Sequence, residues 1–421
     1  MGTATHERTT GTTRVRRRPF YGWTIAWTFA LTETISWGIL YYAFSVFLVP
    51  MQEQFGWSAA AITGAYSLAI LVSGLVAPWV GRWLDRHGPR ALMTAGSIAG
   101  TLLVLAWSRV DTLAGFYAIW IGIGLAQAVT LYEPAFASLT QWFERDRGRA
   151  LLLVTIAAGF ASTIFLPLAG WLIDLAGWRT ALVILAVILA VLTIPPHALV
   201  LRRRPADLGL LPDGADAPAH PASSPRPAGT SGHDVRRVLR ENGFWWMTLA
   251  FWLHTFASIA VAVHMIAYLT ERGDGATFAA AMTGLIGAAQ VAARIVAIAL
   301  ERRYSQIALT SLFFAQQAVA IAILLLWEQP IGVLVAVVFL GMGRGAVTLL
   351  RPGLIARFYG TTNFGAISGV QTLILTGARA SAPVAAGVGY ALADGYTAVF
   401  WVLVGVSLAS VAALLPVDGA Q

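Results

Sequence analysis

Apolar residues in this chain come in long unbroken runs, not in the alternating or one-faced patterns of a water-soluble fold. A helix that crosses a bilayer needs about 20 mainly apolar residues. Twelve runs fit that requirement, near 21–49, 58–80, 91–107, 113–139, 150–173, 180–201, 244–270, 276–300, 307–327, 331–350, 366–392 and 398–415. Between the sixth and seventh lies a polar stretch whose middle, ADAPAHPASSPRPAGTSG, is rich in proline, alanine and serine and reads as a flexible linker. The pattern predicts an all-α membrane protein of twelve transmembrane helices, arranged as two pseudo-symmetric six-helix bundles. Its expected parts are a tail over 1–20, a bundle over 21–201, a linker over 202–241, a bundle over 242–415 and a tail over 416–421.

The two halves repeat. TLYEPAF (130–136) in the fourth run answers TLLRPGL (348–354) in the tenth, and LDR (84–86) answers LER (300–302) at nearly the same offset. A duplicated six-plus-six chain with a central linker is transporter architecture, with a substrate site expected between the halves near the midplane.

Composition agrees. The chain is 57% hydrophobic and 11% charged, where a soluble domain carries roughly a quarter charged residues. All 28 basic residues are arginine. GC-rich codon usage explains this for the gaps; within the membrane, arginine also suits bidentate anion binding. The net charge of +8 does not point to nucleic acid, because the arginines sit in short gaps between apolar runs, as orientation signals do. With no cysteine, disulfides, thiol nucleophiles and cysteine metal sites are excluded. The first apolar run is long and lacks an evident cleavage site, so no cleaved signal peptide is expected.

Arginine is unevenly shared between the two sides. With the N-terminus inside, the inner segments carry RVRRR, GRWLDRHGPR, ERDRGR, LRRR, VRRVLR, ERR and ARFYG, and the outer loops keep only Arg109, Arg179 and Arg272. The positive-inside rule then places both termini in the cytoplasm of a multi-pass protein of the plasma membrane, the bacterial inner membrane.

GRWLDRHGPR (81–90) is expected in the inner loop between the second and third helices. It resembles the G-x-x-x-D-R-x-G-x-R signature of the major facilitator superfamily, matching at Gly81, Asp85, Arg86, Gly88 and Arg90. Gly81 would let two helices approach. Asp85 would face the N-terminal end of a neighbouring helix, and Arg86 and Arg90 would hold carboxylates or carbonyls. In the family this stretch is a latch that favours the outward-facing state. FYGW followed by YYAFSVFLVPMQEQFGWS, RPADLGLLPDG (204–214) and VHMIAYLTERG (263–273) resemble the branch containing oxalate:formate antiporters and monocarboxylate transporters. The resemblance implies the major facilitator fold and a secondary transporter.

A charge in hydrocarbon costs roughly 2.5–3.5 kcal/mol, so it needs a partner or a task. The runs enclose Glu33, Glu133, Arg294, Arg344 and Arg379, and Arg351 borders the tenth. Cations exceed acids, so an anion is the expected cargo. In the oxalate-transporting relatives helices eight and eleven each supply a cation, and Arg294 and Arg379 fall in matching places. The monocarboxylate branch pairs its helix-eight arginine with an aspartate one turn earlier, where this chain has Gln290, and uses a lysine in helix one that this chain lacks. Arg294 and Arg379 also admit a purely structural reading as paired or carbonyl-bonded arginines. Arg344 is expected near mid-depth, lining the cavity, and Arg344 and Gln290 join Arg294 and Arg379 in the expected substrate-binding set. Glu133 and Arg351, at matching positions of the repeat, suggest a gate across the halves or a structural pair, and Glu301 and Arg302 the counterpart of the Asp85 latch.

Glu33 sits about 18 Å along the first helix, on an i, i+4, i+8 stripe with Trp37 and Tyr41. It carries a coupling proton or pairs with an arginine; both readings stand. His254 and His264 are packing residues or proton and substrate contacts, and Trp37, Tyr41 and Tyr42 wall the cavity or only pack. GIG (122–124) and GMGRG (341–345) mimic nucleotide loops, but inside apolar runs and without a following Lys-Ser pair they read as helix-packing glycines.

The expected function is secondary active transport of a small organic anion, a mono- or dicarboxylate, by alternating access, as proton symport or anion exchange. The expected partners are that carboxylate, protons and the lipid bilayer, with no nucleic acid, in a monomer. No enzyme activity, cofactor or metal is expected. The rivals are a drug or organic-cation efflux antiporter of the same superfamily and a non-transporting membrane sensor. The first usually carries a Gly-Pro element in helix five, where this chain has Pro167 alone.

Overall fold

In a computed structural model that describes residues 20–215, 234–274, 276–301 and 303–418, the apolar runs are helices and no strand occurs among the described residues. The tail before residue 20, the middle of the linker, Arg302 and the last three residues lie outside them. The spanning helices are α1 (Tyr21–Phe55), α2 (Ala59–His87), α3 (Pro89–Trp107), α4 (Leu113–Trp142), α5 (147–176), α6 (178–199), α7 (Asn242–Glu271), α8 (Ala276–Glu301), α9 (Gln306–Leu326), α10 (Pro330–Tyr359), α11 (Phe364–Ala393) and α12 (Tyr396–Ala412). Polar residues set several starts. The hydroxyls of Ser58, Thr112 and Ser305 accept the N–H groups of Ala61, Gly115 and Ala308, each at 3.1 Å, relieving orphan donors of the first turn.

Three departures from regular helix shape the interior. α1 widens into a π turn at Gly38–Tyr42, so Tyr41 and Tyr42 leave the register of a straight helix. α4 breaks at Leu131, whose ψ of −165° is extended. Pro134, three residues on, cannot donate to Thr130 and its ring crowds that carbonyl. α5 and α6 run on as one helical path except at Gly177, where φ of +78° is open to glycine at little cost.

One expected loop is not a loop. GRWLDRHGPR continues α2 for two further turns; Gly88 (φ 78°) ends it and Pro89 starts α3. A positive-φ glycine followed by proline at the first helical position is an abrupt stop and start. The charged residues are therefore held on a rigid helix end.

Ten stretches among the described residues are long and apolar enough to cross a membrane. The 53-residue Arg147–Leu199 counts as one of these although it folds at Gly177, and α11 is not among the ten. α11 is rich in small and polar residues, and it is the helix that packs most closely on the other half, through α2. α5 meets α8 across the same divide. Close approach is permitted by missing side chains: Gly81 faces the Gly365 backbone, and Gly369 faces Ala77. The nucleotide-loop mimics have the same use, since Gly124 abuts the Ala69 backbone and Gly345 the Gln290 backbone. The first half is built around aromatic rings, with Phe44, Trp107, Phe116 and Trp120 in mutual contact. Alanine, valine and leucine dominate the corresponding core of the second half.

Candidate functional site

Every described hydrogen bond between the two halves lies toward one end of the bundle, the end that carries GRWLDRHGPR and ARFYG. At its rim, the Asp85 carboxylate accepts from Gly365 N at 2.9 Å and Ala366 N at 2.8 Å, capping the first turn of α11. Helix N-termini present unsatisfied N–H groups and partial positive charge, so an aspartate is well placed there. Arg86 and Arg90 are exposed and make no described side-chain contact with a carboxylate or carbonyl. The guanidinium at this point is that of Arg203, donating to the Asp85 carbonyl at 2.9 Å. The counterpart expected from the LDR/LER match is partly realised: Glu301 lies beside Gly148 in the first turn of α5 and accepts from Gln306 at 3.4 Å. Arg302 falls outside the described residues.

Deeper in, Glu133 and Arg351 form an ion pair across the halves. The Thr372 hydroxyl accepts from Arg351 and donates to Glu133, each at 2.9 Å, and Ser368 donates to the other Glu133 oxygen at 2.7 Å. The sequence repeat thus brings its own equivalent positions face to face. Beside this pair Arg294, nearly buried, donates to the Thr155 carbonyl of α5.

Above that floor, arginines of the second half lie within electrostatic range of tyrosines of the first. Arg379, at the middle of α11, is exposed, yet it lies within electrostatic reach of Arg351, Glu133, Arg344 and Tyr41, which places it between the halves. Arg344 lies within electrostatic range of Tyr41 and Tyr42, and Tyr42 of Arg294. Counted along their helices, Arg344 and Arg379 both sit about 22 Å from the arginine-rich end, and Arg294 and Arg351 about 10–12 Å. On the opposite side Trp37 packs edge-on against Tyr41 and tilted against Tyr132, ring centroids 4.9 Å apart in each case.

The stripe of Glu33, Trp37 and Tyr41 does not hold as a cavity wall. Glu33 is 0% exposed and neither carboxylate oxygen meets hydrogen-bond geometry with a described neighbour, the nearby Trp37 indole included. The π turn rotates the tyrosines away from its face. His254 is also sealed, stacked on Phe314 at 4.1 Å, with neither ring nitrogen bonded. His264 is tied within the second half, to the Tyr396 hydroxyl and the Pro383 carbonyl at 3.0 Å each, and does not join the arginines. Gln290 is half-buried one turn from Arg294 on α8.

Sequence reasoning missed Thr155, Ser368, Thr372 and Tyr132, which are ordinary packing residues until their neighbours are known. It also missed the clasp formed by the stretch after α6. Asp213, at φ 58°, accepts from Glu144 N, Arg145 N and Asp146 N at 3.0, 2.7 and 3.1 Å. Its stretch, RPADLGLLPDG, was read only for its family resemblance, and nothing in the sequence said which loop it would hold.

The family model described as Major Facilitator Superfamily matches residues 23–383. Monocarboxylate transporter 13 of Bos taurus is 26% identical over 349 residues, covering 81% of this chain and 76% of that protein. The oxalate:formate antiporter of Oxalobacter formigenes is 25% identical over 156 residues, 36% of each chain. In fold, the chain is similar to the transporter FucP in its outward conformation, with a TM-score of 0.71 at 13% identity, over 93% of this chain and 98% of that one.

Proposed function

The chain belongs to the Major Facilitator Superfamily and is a multi-pass membrane transporter; from that premise we propose that its cargo is a small organic anion, with carboxylates as the chemical class. The single observation that carries the reading is the gathering of Arg294, Arg344 and Arg379 within electrostatic range of Tyr41 and Tyr42 on α1, with no carboxylate in an ion pair with any of them among the described residues. In a cleft of low dielectric an arginine–carboxylate pair is strong, and its bidentate geometry orients the ligand. The relatives named for monocarboxylates and for oxalate and formate support the same class.

Transport proceeds by alternating access. With the arginine-rich end assigned to the cytoplasm by the positive-inside rule, the state described here is closed inside. The Asp85 cap, the Glu133–Arg351 pair and the Arg294–Thr155 bond are then the inner gate. A bound anion neutralises the cluster and lowers the cost of bringing the halves together around it, which shifts the population toward closure. Proton symport and anion exchange both satisfy this scheme.

The test is a thermal-shift screen of detergent-purified protein against mono- and dicarboxylates, amino acids and lipophilic cations, repeated on Arg294→Ala and Arg379→Ala. A ligand of the folded state raises apparent stability by mass action. Stabilisation by a carboxylate, lost in both variants, is the expected result. Stabilisation by cations alone overturns the reading in favour of organic-cation efflux.

A further inference from the structure

The charges around the cavity do not balance, and the size of the imbalance says what kind of anion fits. Six ionisable acids and arginines lie at depth: Glu33, Glu133, Arg294, Arg344, Arg351 and Arg379. Glu133 is consumed by Arg351, with Ser368 and Thr372 filling its remaining sites. Glu33 is fully buried and makes no ion pair among the described residues, and Tyr132 stands within electrostatic reach of both Glu33 and Arg294. Three guanidinium groups are left without a carboxylate. A monoanion would compensate one of them.

Arg344, expected near mid-depth from its place in the tenth run, is the cation that the resemblance to oxalate-transporting relatives does not supply. It stands on α10 at the same depth as Arg379 on α11. The π turn of α1 carries two phenols within electrostatic range of the cluster, Tyr41 of Arg344 and Arg379, Tyr42 of Arg344 and Arg294. Arg344 is thus the shared neighbour of both phenols. Arg294 is nearly buried and spends a donor on the Thr155 carbonyl, so the accessible cations of this state are Arg344 and Arg379. An anion with one charged group would engage the more exposed Arg379 and leave Arg344 beside it and Arg294 below it uncompensated. An anion with two or three would span the levels.

We propose that the site is built for a multiply charged anion, a di- or tricarboxylate, and that Arg344 sets the preference over monocarboxylates. This rests on the carboxylate reading above and refines it. Like-charged guanidinium groups crowded in a low-dielectric space repel one another, so each added ligand charge gains more than it would in water. Removing Arg344 should therefore penalise di- and tricarboxylates far more than monocarboxylates.

The experiment is a binding titration, by thermal shift and calorimetry, of acetate, a C4 dicarboxylate and a C6 tricarboxylate on wild type, Arg344→Gln, Arg344→Lys and Arg379→Gln. Wild type is expected to bind a di- or tricarboxylate at least about tenfold tighter than acetate. Arg344→Gln should erase that ratio and leave acetate affinity within about threefold, and Arg344→Lys, which keeps the charge, should restore most of it. Size-exclusion profiles identify a variant that fails to fold, in which case the wild-type ratio and the lysine variant decide. Equal affinity for acetate and the larger anions in wild type overturns the proposal and leaves the carboxylate reading standing. So does an equal loss for all three ligands in Arg344→Gln. Carboxylate binding unchanged in Arg379→Gln, or absent at every charge in wild type, sinks the underlying reading and this one with it.

Discussion

The two six-helix halves meet one cavity with different materials. The first contributes rings: Trp37, Tyr41, Tyr42 and Tyr132, with a single sealed acid, Glu33, behind them. The second contributes Arg294, Arg344 and Arg379 from three of its helices. Their common ancestry is still visible in TLYEPAF and TLLRPGL, yet the same position is Glu133 in one and Arg351 in the other. The backbones diverge as well: α4 breaks before its Pro134, whereas α10 runs through Pro352 unbroken. Duplication kept the frame, and substitution then separated the charges. Opposite charges at symmetric positions lie opposite each other when the halves close, so they form a lock. Like charges gathered on one half make that half the receiver and leave the other as a neutral wall that closes on it.

The severest way to break this contrast is to remove one side of the lock. Glu133→Ala leaves Arg351 largely buried beside two hydroxyls and no carboxylate. Losing one partner of a buried pair costs roughly 3 kcal/mol. The melting temperature should fall, and the arginine-rich end should open. The chain has no cysteine, so Thr155→Cys gives a unique label site beneath the gate, where Thr155 is wholly buried. Faster labelling by a polar thiol reagent in the Glu133→Ala background is expected. The exchanged pair, Glu133→Arg with Arg351→Glu, should recover most of the loss; no recovery would mean that the surroundings, not the charge pair, hold the end shut.

Next in size is the receiver. Arg379→Gln should weaken anion binding by about 2 kcal/mol, the worth of a hydrogen bond to a charged group, with little change in melting temperature because Arg379 is exposed and makes no described ion pair. A variant that loses stability but keeps affinity would move Arg379 from the cavity to the scaffold. Third is the rim. Asp85→Asn keeps an acceptor for the first turn of α11 but removes the charge that favours the helix dipole, a loss of about 1 kcal/mol. The same Thr155→Cys label reads it, and an unchanged labelling rate would show that the cap does not bias the gate.

Much of this frame was legible in the sequence, because a bilayer imposes length and polarity rules that act on each helix alone. The twelve helices, the Glu133–Arg351 meeting and the aspartate at a neighbouring helix end were all expected from the residues. What failed did so where the answer depended on another element. The i, i+4, i+8 stripe assumed a regular α1; the π turn shifts Tyr41 out of register with Glu33, which the packing buries. GRWLDRHGPR was read as a loop because its charges end an apolar run; helix propensity is not lost where apolarity stops, and only Gly88 ends α2. Arg203 and Asp213 hold the adjacent turns from a stretch whose sequence named no target.

The smallest expected effect tests the neutral wall itself. If the first half serves only as an apolar surface, losing a phenol oxygen changes nothing. If Tyr42 instead shares the anion with Arg294 and Arg344, Tyr42→Phe should cost about 1 kcal/mol of binding, a neutral hydrogen bond's worth, and leave the melting temperature in place. Tyr41→Phe should do the same through Arg344 and Arg379. Because both phenols border Arg344, each effect should shrink in an Arg344→Gln background, and a double-mutant cycle measures that coupling directly. Additive losses would place the phenols and the arginine in separate roles. Coupling of Tyr42 with Arg344 but none with Arg379 would fix which phenol faces which cation, and so how the π turn in one half is matched to the charges of the other.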